Sequence, residues 1–126
     1  MYHTKHTTLT DNVEVDLFSV PTGYYCYITY VFAANHSGGA ANTVDIKWTD
    51  DPDPGPYNDL MYIFDGATVN NGDNITLGGQ SEAPLFVLHS GEVVRVKASQ
   101  ATGNMEVAVT FRLLENPNSF VNFNGS

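Results

Sequence analysis

Four histidines, one cysteine, a run of aspartates and a Ser–His neighbour pair are the side chains here whose chemistry reaches beyond packing. His3 and His6 lie close together near the N-terminus, but no cysteine or third histidine stands nearby to complete a zinc set. His36 and His89 each flank a turn, and a sandwich can bring two such turns to one end or keep them apart. Asp50, Asp51, Asp53 and Asp59 offer the oxygen ligands that calcium takes. Prolines separate them, however, and the ordered ligand spacing of an EF-hand loop is missing. His89-Ser90-Gly91 is not the G-x-S-x-G elbow of a serine hydrolase, and no phosphate-cradling glycine loop opens onto a helix. Cys26 sits inside the apolar run Tyr24 to Ile28 with no adjacent cation to favour a thiolate, which predicts a small buried hydrophobe. The residue types predict no catalytic site, no metal and no cofactor.

Aromatic side chains are the other candidates for recognition. The chain has seven tyrosines, seven phenylalanines and one tryptophan, and Tyr24, Tyr25, Tyr27 and Tyr30 cluster in one segment. Alternation puts Cys26, Ile28, Tyr30 and Phe32 on one face, and Tyr25, Tyr27, Thr29 and Val31 on the other. Tyr25 and Tyr27 could stack on sugar rings, but a small sandwich also places tyrosine at its core edge or at a protein interface. Trp48 shares a face with Val44 and Ile46, which predicts a core position.

The elements that must position these residues are strands. Period-two alternation runs through nearly the whole chain and helical periodicity almost nowhere. Val13, Val15 and Leu17 alternate with Glu14, Asp16 and Phe18, so Phe18 is expected on the wet face. Pro21-Thr22-Gly23 turns into a long strand from Tyr24 to Asn35, apolar on both faces and so central. Val44 to Thr49 is a half-buried strand, Asp50 to Pro56 is too proline-rich for either regular structure, and Leu60 to Phe64 resumes the strand pattern. Asp65-Gly66 and Asn71-Gly72 are hairpin dipeptides. Short strands follow at Ile75–Leu77 and Leu85–Leu88, then longer ones at Val93–Ala98 and Met105–Leu113. Turn signals at this spacing predict an all-β, single antiparallel β-sandwich or jelly-roll-like domain of seven to eight strands over residues 13–114. Residues 1–12 and 115–126 are expected to be N- and C-terminal tails. Tyr2, Phe120, Val121 and Phe123 lie in those tails outside the strand pattern, so they are the candidate partner-binding residues.

Charge narrows the partners. Fourteen acidic against five basic residues leave a net charge of -9, which disfavours nucleic acid and anionic membrane surfaces. Apolar residues at 42% suffice for a core, while a charged fraction of 15% leaves much of the surface to neutral polar side chains. The N-terminus lacks the apolar stretch of a signal peptide, so synthesis in a cytoplasm is expected.

Several strings together carry a resemblance. They are Val20-Pro21-Thr22-Gly23, Ala33-Ala34-Asn35, Thr43-Val44-Asp45-Ile46-Lys47-Trp48, Leu88-His89-Ser90-Gly91-Glu92 running into Val93 to Ser99, and Val107-Ala108-Val109-Thr110-Phe111. In this order, over residues 13–114, the chain resembles small all-β structural proteins of tailed-bacteriophage virions. The Asp51 to Pro56 loop falls outside the pattern. The resemblance implies a non-enzymatic virion component made in the host bacterial cytoplasm. Its implied partners are further copies of itself and other virion proteins such as the major capsid protein, on a capsid, neck or tail; the acidic charge, repelled by packaged DNA, makes outer capsid decoration the expected place. The alternatives are a neck or tail accessory protein, or a carbohydrate-binding β-sandwich.

Overall fold

The computed structural model describes residues 2–36, 39–50, 58–79, 84–99 and 104–116. They form nine strands: β1 Tyr2–Leu9, β2 Val15–Ser19, β3 Tyr24–Asn35, β4 Asn42–Thr49, β5 Asp59–Val69, β6 Asn74–Gly78, β7 Phe86–Leu88, β8 Val93–Ala98 and β9 Met105–Glu115. One antiparallel sheet has the order β1-β9-β3-β6, with β7 pairing β3 beyond β6, and the other has the order β2-β8-β4-β5. If β6 and β7 are taken as one interrupted strand, the chain crosses between sheets at every connection except the β4–β5 hairpin. Two Greek keys interleaved this way are a jelly roll, so the expected all-β sandwich is what forms.

The N-terminal segment departs from expectation. Residues 2–9 are not a tail but an edge strand, in register with β9 from Tyr2 opposite Arg112 to Leu9 opposite Met105. Its side chains are exposed except for half-buried Thr7 and buried Leu9, so polarity masked a strand that leans on backbone pairing. The candidate tail residues Phe120, Val121 and Phe123 lie outside the described residues.

Bulges explain the remaining differences. Register shifts between Asp16 and Phe18, so Leu17 and Phe18 both pack on the core, although alternation put Phe18 outside. Phe18 then stacks on Phe111 with ring centroids 4.3 Å apart, bridging the two sheets. Asp65-Gly66 is no hairpin: β5 continues through it, with Gly66 at positive φ donating its N–H to Asp45 Oδ1 at 2.6 Å. Asn71-Gly72 does form the β5–β6 turn.

Most consequential is the bulge in β3 between Ile28 and Tyr30. Before it, Cys26 and Ile28 face inward; after it, Val31 and Ala33 do. Tyr30 and Phe32 therefore do not share the face of Cys26, as strict alternation predicts, but join Tyr25 and Tyr27 outside. The partner strand breaks at the same place. β6 ends at Gly78 opposite Tyr30, and pairing with β3 resumes where Leu85 N–H donates to the Ile28 carbonyl at 2.7 Å just before β7.

The core lies between the sheets, with Val31, Val107 and Val109 from one meeting Val44, Ile46, Val94 and Val96 from the other at its centre. Trp48 meets Phe86 of the opposite sheet edge-on at 5.3 Å and is only partly buried, at the margin of the core. Cys26 is fully buried, and burial pushes its thiol up to about 12, so it stays protonated.

Candidate functional site

Two of the strings behind the resemblance, Val20 to Gly23 and Leu88 to Glu92, form interlocked turns, while the others lie in β3, β4 and β9. In the first, Tyr24 N–H donates to the Pro21 carbonyl; in the second, Glu92 N–H donates to the His89 carbonyl. Gly23 and Gly91 supply the positive φ each turn requires, 90° and 84°. Ser90 ties them together, its Oγ accepting from Gly23 N–H and donating to the Tyr24 carbonyl, both at 3.0 Å. The Val20 backbone completes the link, donating to the Glu92 carbonyl and accepting from Gly91 N–H. The Ser90 hydroxyl is thus a structural clasp, and His89 pairs with Glu92.

Asn35 performs the matching service at the other end of β3. Fully buried, it donates from Nδ2 to the Ala40 and Val69 carbonyls, and its backbone bonds Asp73 and Gly72. His36 follows and lies 3.4 Å from Glu106. The two turn histidines are therefore held at opposite ends of β3. His3 stacks on Phe111, while His6 borders a groove on the opposite face of its sheet. Among the described residues, no three His, Cys, Asp or Glu side chains gather in a way that could hold a metal ion. Asp50 accepts from the Asn58 backbone and side chain, and Asp59 is committed to Lys47; Asp51 and Asp53 lie outside the described residues. Asn58 holds the Asp50 carboxyl below its ordinary range.

The two outward faces differ in kind. On the β2-β8-β4-β5 sheet, Lys47 Nζ reaches Glu14 at 3.1 Å and Asp59 at 2.8 Å, while Arg95 binds Glu14 and Asp16, each at 2.7 Å. Burial alone pulls the Lys47 ammonium down, but hydrogen bonds and charge from Asp59 and Glu14 outweigh it and hold its pKa above the ordinary value. Lys97 stands opposite Asp45 in the same face. This surface is mainly a lattice of paired charges, with the exposed Tyr62 ring of β5 lying against Lys47.

On the five-stranded sheet the outward face is aromatic. Tyr25, Tyr27, Tyr30 and Phe32 run down β3, all half-buried. Val87 stands opposite Tyr27 and is 40% exposed. The Arg112 guanidinium sits between the rings of Tyr27 and Tyr2, 5.9 and 6.0 Å from their centroids. Beside Phe32 lies a groove of about 270 Å³, bordered by His6, Glu106 and Ala108, where the small side chain of Ala108 leaves the surface low. The structure thus brings candidate Tyr2 onto the face that carries Tyr25 and Tyr27, and adds Tyr30, Phe32 and Arg112, which sequence reasoning missed. One signal was available: Cys26 and Ile28 set one inward parity, Val31 and Ala33 the other, and only a bulge reconciles them.

The sequence matches no protein-family model and no curated protein. The fold does have solved counterparts. A subunit of Bacillus endospore appendages, which are disulfide-linked pili, superposes with a TM-score of 0.52 at 12% identity over 92% of this chain and 88% of that one. A chain from the acid-stable capsid of the Helicobacter pylori bacteriophage KHP30 superposes at 0.50 and 14% identity, over 90% and 91% of the two chains. At such identities the shared property is the fold, and it is a fold found in subunits of large protein assemblies.

Proposed function

We propose that this protein is a non-enzymatic structural subunit of a tailed-phage virion, attached to the outside of the capsid as a decoration or stabilising protein. The observation that carries this reading is the outward aromatic face of the five-stranded sheet. A -9 chain that leaves four aromatic rings and an exposed valine on one sheet face has a surface suited to contact with protein. An acidic protein is repelled by packaged DNA, which favours the outer side of a shell. The fold similarity to a phage capsid chain supports the same class of role. The pilus comparison fits less well in chemistry. Those appendages are disulfide-linked, whereas the single cysteine here is fully buried and held protonated. The partner-contact residues in this reading are Tyr2 and the segment carrying Phe120, Val121 and Phe123, with further copies of the chain and the major capsid protein as partners and the virion as final location. Mass spectrometry of gradient-purified particles tests it: the protein should be present at structural stoichiometry and accessible to surface labelling. Its absence from particles refutes the role.

A second reading, glycan binding, draws on the same outward tyrosines, which could stack on sugar rings. Specific retention on a glycan array, lost in Tyr27→Ala, would favour it over the structural role.

A further inference from the structure

We propose that the outer face of the five-stranded sheet is the contact between two copies of this chain, packed sheet against sheet. The inference rests on the structural-subunit reading and names the surface through which it self-associates.

Three properties of the face argue for a second copy as its occupant. The first is charge. Among the residues that β1, β9, β3, β6 and β7 turn outward there, Glu106 and Arg112 carry the formal charges, and they cancel. His6 adds a positive charge only when protonated. In a chain of net charge -9, such a face lets two copies approach without stacking like charges. The opposite sheet serves less well, because burying it would strip water from the half-exposed Asp16 and Asp59 carboxylates of its ion pairs.

The second property is area. Four strand positions spaced about 4.8 Å apart, over some nine residues each rising about 3.3 Å, make a footprint of roughly 600 Å². Two copies would bury roughly 1,200 Å², the lower bound of stable specific interfaces.

The third is shape. A two-fold contact places one patch against itself, so ridge and hollow must occur together. The ridge is Tyr27 and Tyr30 on β3; the hollow is the groove over Ala108, walled by His6 and Phe32. Its volume of about 270 Å³ admits an aromatic ring from the second copy.

The test is sedimentation velocity of the full chain from low to high micromolar concentration, beside Ala108→Glu, Tyr27→Ser/Tyr30→Ser and, as a control on the other sheet, Lys97→Gln. Circular dichroism and thermal melts show that each variant is folded. The expected result is a reversible dimer for the parent and Lys97→Gln, with the dissociation constant raised at least about tenfold in Ala108→Glu and in the double variant. A parent that stays monomeric, or a folded Ala108→Glu that dimerises like the parent, overturns the proposal. So does a truncation to residues 1–116 that dimerises where the full chain does not, because the chain's own C-terminal segment would then occupy the face. The two readings fail separately: a monomer found in purified particles overturns the sheet contact and keeps the structural role, whereas a dimer absent from particles does the reverse.

Discussion

Replacing Gly78 with alanine probes the joint that turns the aromatic face outward. Gly78 closes β6 against the β3 bulge at φ +88°, and a Cβ there would overlap the Thr29 carbonyl oxygen and lie 2.8 Å from Leu85 Cδ1. The oxygen belongs to backbone, and the neighbouring Ile28 carbonyl is tied to Leu85 N–H, so the near wall has little freedom to retreat. Gly72 is the matched control, with φ +80° and open space around a built Cβ. Both substitutions incur the left-handed backbone penalty, about 1–2 kcal/mol, partly offset by the stiffer unfolded chain. Only Gly78→Ala adds overpacking, about 1–3 kcal/mol. Expected totals are about 1 kcal/mol for Gly72→Ala and about 2–4 kcal/mol for Gly78→Ala. In urea, at a slope of about 1.5 kcal/mol/M, Gly78→Ala should lower the midpoint by roughly 1 M more than its control, with unchanged slope. Equal shifts for the two variants would refute the reasoning, since β6 would then move aside freely and the bulge would not be locked.

Ser90→Ala removes both bonds of the turn clasp, leaves the Gly23 N–H and Tyr24 carbonyl short of a partner, and should cost about 1–3 kcal/mol; a melt identical to the parent contradicts the clasp. Trp48→Ala should cost about 3 kcal/mol, the low end for a large aromatic because Trp48 is only partly buried, and a stable variant that has lost particle binding would make it a recognition residue instead. Lys47 has its pKa raised in the fold, so its contribution is complete below the ordinary lysine value of about 10.4 and is lost as pH rises through the folded value. Parent stability should therefore fall on strong alkalisation, and Lys47→Met should flatten that step; an unaltered alkaline profile in the variant contradicts the ion cluster.

Much of the fold was legible because a sandwich writes itself in alternation. Val44, Ile46 and Trp48, Val94, Val96 and Ala98, and Val107, Val109 and Phe111 all took the inward side that alternation assigns them. The turns were legible too, because Gly23, Gly72 and Gly91 stand where the backbone needs positive φ. β1 was hidden for a physical reason. An edge strand exposed on nearly all sides needs no apolar period, so Tyr2 to Thr8 reads like a tail although it is held by β9.

The candidate site was half legible, and the bulge accounts for the other half. A single extra residue at Thr29 reverses the parity of everything after it, moving Tyr30 and Phe32 from the core side to the outside. Without the bulge those two rings would enter the core, where Val31 and Ala33 now fit, and β3 would turn only Tyr25 and Tyr27 of its aromatic rings to the outer face. The register shift thus does two things at once: it turns Val31 and Ala33 into the core, and it extends an aromatic row along the outer face of the sheet. Thr29 itself is held by Oγ1 donating to the Thr110 carbonyl at 3.3 Å, and Gly78 shields its backbone from the other side. A core requirement alone would be met by Val and Ala in regular alternation, with no bulge. Gly78 and the interruption between β6 and β7 accommodate that shift, so the irregularity in β3 shapes the outer face as well as the core.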